Sequence, residues 1–427
     1  MLKKKKLLIP LIIIGVIGVL VGIYFIPAVH EKLSWRLTNL GADIFYFFNP
    51  PEKVDFNPNQ QSEVDEIVAA SLTAMAPTPT PTQTLVPTGE FTPTQTQTPL
   101  PTPTPTPIPS VKRLEGVRHE YQQFNNCGPA NLSMALSYWG WEGDQTVTGK
   151  YMRPNDRDRN VMPYEMVDYV QTQTSFGVVL RYGGDLEMVK RFVAAGFPVL
   201  VERGFIVTDK GWMGHYGVIT GYDDAKQMVY IPDSYEGERG LSYTELELFW
   251  AHFDNIYLVI YPPDRESQVM SILGEQADKA YNISYAAQLA SERTLNTDGR
   301  ENFFAWYMRG NMLVQLNDYL GAAQAFDQAF AIYNTLPSRP WRIAWYQTGP
   351  YYAYYYTGRY EDVISLADQT LSYSFEPAIE ETWIWRGRAR VMLGERDGAI
   401  SDFREALKWH PDWWVAEQEL RNLGVEP

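Results

Sequence analysis

Residues 121–140 read YQQFNNCGPANLSMALSYWG and contain Cys127, the one cysteine of the chain. An apolar helical pattern starts directly after Cys127. At such a position, free backbone N–H groups and the helix dipole stabilise a thiolate. Gly128 allows the backbone to approach a substrate closely, and Pro129 suits the first turn of a helix. These features predict a nucleophilic cysteine, whereas a lone cysteine without them is most often a small buried apolar side chain.

A nucleophilic thiol needs a base, and the chain has five histidines. His215 lies in GHYGVITGYDD, at the entrance of a predicted strand, with Gly214 and Gly217 leaving space around its ring. The other four lie in less suitable places, which are the end of the apolar N-terminal stretch (His30), irregular sequence (His119), the end of a predicted helix (His252) and the helical C-terminal region (His410). His215 is therefore the predicted base.

A catalytic imidazole is usually oriented by an acceptor on its second nitrogen. Asp233 lies in VYIPDSY, at the end of the next predicted strand. Two antiparallel strands joined by a turn near Asp223 and Asp224 would bring Asp233 back beside His215. The two turn residues would lie at the opposite end of this hairpin. Asp233 is therefore the predicted third member of the site.

The oxyanion that forms during acyl transfer needs hydrogen-bond donors. The backbone N–H of Cys127 is one, and a side-chain amide shortly upstream is the obvious second. Gln122 and Gln123 both qualify, and we favour Gln122, five residues before the cysteine. The two asparagines that follow, Asn125 and Asn126, are predicted to shape the turn through local bonds to the backbone.

The residues around this site mix helical and strand patterns. Helices are predicted from just after Cys127 to Tyr138 and over 164–172, 186–195 and 243–253. Strands are predicted over 178–182, 198–202, 216–222, 228–231 and 256–261. One leading helix followed by several strands indicates an α+β domain with a mostly antiparallel sheet, placed at 111–263.

These residues resemble the papain-like cysteine peptidases, most closely the bacteriocin-processing peptidases that cut after double-glycine leaders. That family has a Gln before a Cys-Gly pair that opens a helix, a His followed by a strand of small residues, and an Asp on the next strand. The resemblance covers residues 120–262 and implies a cysteine peptidase with Cys127, His215, Asp233 and Gln122 at its catalytic site. The family usually places the Gln six residues before the cysteine, where this chain has Tyr121. No GxxxxGK[ST] loop occurs, so the sequence does not support an exporter role.

The N-terminus predicts a membrane anchor over residues 1–32. Four consecutive lysines precede a stretch without charge at 7–29, which is long enough to cross a bilayer of about 30 Å. The lysines place the N-terminus in the cytoplasm and the remaining domains outside. A cleaved signal peptide is the alternative, although its apolar core would be shorter.

Two segments separate the predicted anchor from the α+β domain. Residues 33–76 form a predicted juxtamembrane segment, whose first part is aromatic and could lie against the membrane surface. Residues 77–110 are almost entirely Pro and Thr with few apolar side chains, which predicts a disordered, extended linker. Its predicted role is to hold the next domain away from the membrane.

Residues 266–427 show a helical pattern that repeats itself. Five residues recur with the same displacement of 77 positions: Trp306, Gly310, Ala322, Phe326 and Ala329 return as Trp383, Gly387, Ala399, Phe403 and Ala406. These positions resemble tetratricopeptide repeats, which stack helix pairs and bind peptides or proteins. An ordinary helical bundle is the alternative.

Composition limits the partners of the chain. The formal net charge of −15 argues against nucleic acid. A single cysteine excludes an intrachain disulfide and a cysteine-based zinc cluster, and we predict no cofactor and no metal. The predicted partners are a peptide or protein substrate, a protein bound by the repeats, and the membrane. A catalytically silent papain-like scaffold and a cell-wall peptide hydrolase are the alternative functions.

Overall fold

The computed structural model describes residues 15, 22–51, 55–58, 108–207 and 210–427. Its central region consists of two antiparallel sheets with helices packed on them. Up to the end of this region the elements are α1 (Pro27–Phe48), β1 (Val111–Arg113), α2 (Cys127–Ser137), α3 (Gln145–Met152), α4 (Pro163–Gln173), β2 (Gly177–Arg181), α5 (Leu186–Ala194), β3 (Val199–Val207), β4 (Gly211–Ile219), β5 (Gly221–Asp223), β6 (Met228–Asp233), β7 (Gly237–Ser242), α6 (Tyr243–Trp250) and β8 (Tyr257–Tyr261).

The strands form two four-stranded sheets, with the orders β1-β5-β6-β7 and β2-β8-β3-β4. Every strand pair in both sheets is antiparallel. The predicted α+β class with an antiparallel sheet is therefore confirmed. The sequence did not reveal that the strands divide between two sheets.

The strand predicted over 216–222 is wrong at both ends. The structure has β4 from Gly211 to Ile219 and a separate strand β5 that starts at Gly221 and belongs to the other sheet. The first half of β4 has few β-branched residues, but it pairs with β3 along its whole length, and this pairing overrides its weak propensity. His215 therefore lies inside a strand rather than at its entrance.

Helix α2 is buried along most of its length, from residue 128 to residue 136. Leu132, Met134 and Leu136 pack in one core cluster with Tyr216 and Val218 of β4. Burying each large apolar side chain contributes roughly 1.5–3 kcal/mol, so this contact fixes the helix against the sheet. The fixed helix brings the residue at its N-terminus, Cys127, to the strand that carries His215.

Residues 266–427 are helical, as predicted. The elements are α7 (Glu266–Leu273), α8 (Lys279–Asn296), α9 (Gly299–Gln315), α10 (Tyr319–Tyr333), α11 (Ile343–Tyr346), α12 (Gly349–Tyr356), α13 (Tyr360–Ser372), α14 (Glu380–Met392), α15 (Arg396–Trp409) and α16 (Trp414–Asn422). We refer to α8–α16 as the helical domain. The exact boundaries 111–263 and 266–427 stay a prediction.

The 77-residue displacement corresponds to a repeated contact. A Cβ added to Gly310 would lie 2.6 Å from the ring of Phe326, and one added to Gly387 would lie 2.5 Å from the ring of Phe403. Each glycine thus lets the next helix bring a phenylalanine against the backbone, which explains why both pairs recur together. The resemblance to tetratricopeptide repeats itself stays a prediction.

The helical domain packs on several parts of the central region, among them the start of β4 and the loop between α3 and α4. Arg342 donates to the carbonyl oxygens of Lys210 and Trp212 at 2.7 and 3.1 Å, close to the start of β4. The loop between α3 and α4 makes the second contact, where Arg159 donates from its backbone N–H to the carbonyl oxygen of Ala378 at 3.2 Å. The helical domain therefore connects the start of β4 with the loop between α3 and α4.

Helix α1 also packs on this body. Phe45 contacts Phe375 with ring centroids 5.8 Å apart, and Tyr46 contacts Trp341 at 5.1 Å. Part of the predicted juxtamembrane segment 33–76 is therefore attached to the helical domain. Most of the predicted span 7–29, and the predicted linker 77–110 except its last three residues, lie outside the described residues. Within the described part of the chain, no helix combines the length and apolar character needed to cross a membrane.

Candidate active site

Cys127 is the first residue of α2 and is partly buried. Asn125, two residues earlier, has a positive φ of 53° and turns the chain into the helix. A Cβ added to Gly128 would lie 3.0 Å from both Val161 and Met166. Gly128 thus allows the helix to pack closely against these two side chains.

His215 is buried at the edge of a sheet, on β4, where it lies opposite Arg203 of β3. Phe205 stacks on its imidazole ring with centroids 4.8 Å apart. His215 Nε2 lies 3.1 and 3.0 Å from the two carboxylate oxygens of Asp233. Because Asp233 engages Nε2, Nδ1 is the nitrogen left for the Cys127 thiol, which is close enough to the ring for the two groups to shift each other's pKa.

Asp233 is fully buried at the last position of β6. Besides His215, its carboxylate accepts from Arg203 at 3.1 Å and from the backbone N–H groups of Tyr235 and Glu236 at 2.8 and 3.0 Å. Burial alone would raise the pKa of Asp233, but the bonds and charge of His215 and the two N–H groups hold it well below its usual range. Asp233 is therefore an anion that fixes the imidazole.

The thiol and the imidazole shift each other's pKa in the directions that favour an ion pair. Burial would raise the pKa of Cys127, but the hydrogen bond and charge of His215 and the backbone N–H of Tyr216 lower it below the value of an ordinary thiol. Burial would lower the pKa of His215, but its bonds to Asp233 and Cys127 raise it. A thiolate beside an imidazolium is the reactive state of a nucleophilic cysteine.

Of the two glutamines, Gln122 is the one that the structure ties to this site. Its backbone N–H donates to the carbonyl oxygen of Ser234 at 2.8 Å, and the Ser234 hydroxyl donates to its side-chain oxygen at 2.9 Å. The oxygen end of the amide is therefore held, which leaves the NH₂ end as the donor that an oxyanion would need. Gln123 is exposed.

Sequence reasoning missed Asn131 and Ser234, which join the members of the site. Asn131 donates to the carbonyl oxygens of Cys127 and Tyr216 at 2.9 and 3.0 Å and to the Ser234 hydroxyl at 3.0 Å. One side chain thus connects the cysteine helix, β4 and the residue after Asp233. Its position one turn after the cysteine is the signal that could have indicated this role.

Two charged residues of β3 were also missed, although both are buried. Arg203 binds Asp233, as described above. Glu202 lies opposite Tyr216, and burial raises its pKa well above its usual value. The adjacent charges inside the apolar run VLVERGFIV were the signal for both.

The helical domain also contributes to the surroundings of the site, through Tyr346. A Cβ added to Gly214, the neighbour of His215, would lie 3.0 Å from the Tyr346 ring. Burial raises the pKa of the Tyr346 phenol, and this phenol is close enough to Cys127 for the thiolate charge to raise it further. Tyr346 therefore limits the space beside the sulfur and the imidazole.

Replacing Tyr346 with alanine is expected to open this space. The ratio of Cys127 alkylation rates with a bulky maleimide and with iodoacetamide should rise several-fold, because only the larger reagent needs the added room. Mass spectrometry of the single thiol measures both rates. Tyr356→Ala, which removes an exposed tyrosine of the same domain, is the matched control. An unchanged ratio in the Tyr346 variant would show that the phenol does not restrict access.

Within the described ranges, no three His, Cys, Asp or Glu side chains are grouped so that they could hold a metal ion.

Comparison with known proteins finds similarity over the central region. Residues 114–262 match the family model described as Peptidase_C39 like family. Two crystal structures are similar: a candidate C39-like peptidase from Bacillus anthracis (18% identity, 35% of this chain and 96% of that chain, TM-score 0.29) and a double glycine motif protease from an AMS/PCAT transporter in complex with the leader peptide (16% identity, 35% of this chain and 98% of that chain, TM-score 0.27). No curated protein matches the chain. Over residues 114–262, the chain is similar to the C39-like peptidases, the papain-like family that its cysteine, histidine and aspartate segments suggested.

Proposed function

We propose that the chain is a cysteine peptidase that hydrolyses peptide or related amide bonds. The observation that carries this proposal is His215, whose ring is bonded to Asp233 and lies close enough to Cys127 for each group to shift the pKa of the other. This is the arrangement that a thiol nucleophile needs, with a base that accepts its proton and a third group that orients the base. The match of residues 114–262 to a peptidase family supports it.

In the proposed reaction, His215 Nδ1 holds the proton of the Cys127 thiol. The sulfur attacks the substrate carbonyl carbon, and the oxyanion is stabilised by the Cys127 N–H and the Gln122 amide. The imidazolium then gives its proton to the leaving amine, and a thioester remains on Cys127. A water molecule, deprotonated by His215, attacks the thioester carbonyl and releases the acid product together with the thiol.

The pH dependence of alkylation tests the activated thiol. Because the pKa of Cys127 is lowered, iodoacetamide should react at rates that stay high at pH values well below about 8.5, where an ordinary thiol loses reactivity. His215→Asn removes the charge that lowers this pKa, so the midpoint of the profile should move up towards the ordinary value. Cys127 is the one thiol of the chain, and the modified mass reports it directly.

The same profile separates a peptidase from a catalytically silent binding domain. A silent domain requires no ion pair, so its thiol would titrate near the ordinary value in the wild type and in His215→Asn alike. That result, together with no labelling by a peptidyl electrophile at neutral pH, would reject the peptidase proposal.

We further propose that this peptidase is anchored in a cell membrane, with a cytoplasmic N-terminus and its folded domains on the other side. The uncharged stretch 7–29 and the preceding lysines support an anchor. So does the outer face of α1, where Leu37, Leu40, Ile44 and Phe47 recur every three or four residues and are exposed. In alkaline carbonate, the full chain should float with phospholipid vesicles, and its release would contradict the anchor.

The helical domain is proposed to bind a protein or peptide partner. Helical repeats commonly present a groove for an extended chain, and the repeated Gly–Phe contacts indicate such an array.

A further inference from the structure

Residues 55–58 lie on the helical domain, almost 280 positions away in sequence. The side chain of Asn334 forms hydrogen bonds with the backbone of one of them, Phe56. The Phe56 N–H donates to Asn334 Oδ1 at 3.0 Å, and Asn334 Nδ2 donates to the Phe56 carbonyl oxygen at 2.8 Å. The amide of Asn334 thus satisfies both backbone groups of one residue. This is how a protein holds an extended chain, since a chain in a helix or sheet would have used these groups itself.

The Phe56 side chain fills an aromatic pocket formed by residues of α10 and α12. It is 2% exposed, and its ring lies 4.6 Å from that of Phe330 on α10 and 6.3 Å from that of Tyr354 on α12. Burying a phenylalanine contributes roughly 1.5–3 kcal/mol. A residue that enters from a distant segment and is buried so completely acts as an anchor, and it sets a preference for an aromatic side chain.

Asp55, the residue before Phe56, forms an ion pair with the side chain of Arg339. Arg339 pairs with the Asp55 carboxylate at 2.7 Å and is held by the Asn334 carbonyl oxygen, also at 2.7 Å. Arg339 is 8% exposed, yet within the described residues its Nε and Nη1 have no hydrogen-bond partner. The guanidinium is therefore held in place for an acidic group, and the exposed Asp55 occupies that position.

We propose that Asn334, Arg339 and the pocket around Phe330 form a peptide-binding site, and that the chain's own residues 55–57 occupy it. The ligand class is an extended peptide with a carboxylate immediately before an aromatic residue. A partner with such a segment would compete with residues 55–57 for the site. Its binding would therefore release the segment that follows α1 from the helical domain. This inference does not depend on peptidase activity.

Competition binding with a synthetic peptide tests the proposal. The probe is a fluorescein-labelled peptide of residues 50–60, PPEKVDFNPNQ, added to the full chain in detergent and followed by fluorescence anisotropy. Phe56→Ala should weaken the binding of residues 55–57 to the site and leave the pocket intact. This variant should therefore bind the probe. The wild type should bind at least about tenfold more weakly, because a tethered segment competes at an effective concentration in the millimolar range.

Two controls define the specificity of this binding. The double variant Phe56→Ala with Asn334→Ala should lose the probe, and a probe with alanine in place of phenylalanine should not bind Phe56→Ala. Equal binding by the wild type and Phe56→Ala, or no binding by either at millimolar probe, would overturn the proposal.

Hydrogen exchange gives a second measurement that does not require the Phe56 variant to fold. The Phe56 amide should be protected in the wild type and should exchange much faster in Asn334→Ala, while the amides of α9 and α10 keep their protection. An equally slow Phe56 amide in both proteins would show that Asn334 does not hold the segment.

Discussion

Replacing Cys127 with alanine should lower peptide hydrolysis by roughly 10⁴-fold or more, because it removes the nucleophile of the proposed reaction. His215→Ala should cause a loss of similar size, since the thiol then lacks both its proton acceptor and the charge that lowers its pKa. The double variant should be no worse than either single one, because the two groups act as a unit. Cleavage of a fluorogenic peptide library measures these effects.

The control for this result is His410→Ala. His410 is in the helical domain, where its Nδ1 lies 2.9 Å from Glu380, and its loss should leave hydrolysis unchanged. Circular dichroism should show that all the variants are folded. Hydrolysis that persists in folded Cys127→Ala would mean that the peptidase proposal is wrong.

Replacing Arg203 with methionine should have the largest effect on stability. Arg203 and Asp233 are 2% and 0% exposed, and their charged atoms are 3.1 Å apart. Removing one partner of a buried ion pair costs about 3–5 kcal/mol, and the lower end is expected because Asp233 keeps its bonds to His215 and to two backbone N–H groups. Urea unfolding should show a loss of this size. Arg191→Met is the matched control, because its exposed pair with Glu187 at 3.2 Å should contribute less than about 1 kcal/mol.

Arg203→Met should also change the pH profile, which a purely structural role would not do. Without the guanidinium, the negative charge of Asp233 acts on His215 with less opposition, so the pKa of the imidazole should rise. The alkaline limit of hydrolysis should then move to higher pH in those molecules that remain folded. A stability loss with an unmoved alkaline limit would mean that Arg203 stabilises the fold without tuning the base.

The sequence was most informative where a residue type is rare. One cysteine and five histidines left few combinations, and the helix start at Cys127 and the small residues around His215 selected between them. Asp233 was chosen because a hairpin would return it to His215. The structure does return it, although β4 and β5 belong to different sheets and the hairpin is formed by β5 and β6.

The sequence was least informative where distant segments meet. Arg203 lies in β3, and the sequence of this strand does not show which residue will pair with the buried arginine. Tyr346 belongs to a segment without a periodic signal that would connect it with the candidate active site. The same holds for residues 55–57 and the pocket around Phe330. The choice between Gln122 and Gln123 likewise depended on the neighbour that each would find, and Ser234 was identified as that neighbour only in the fold.

The amino-acid sequence by itself determined the order of the regions, the α+β and helical classes, and the residues proposed as nucleophile, base and orienting acid. These features follow from local patterns and from the scarcity of cysteine and histidine. Only the tertiary structure decided that Arg203 binds Asp233, that Tyr346 limits the space beside Cys127 and His215, and that Phe56 fills the pocket around Phe330. Each of these depends on contacts between residues far apart in the chain, and such contacts are set by how buried surfaces fit together and not by the local sequence.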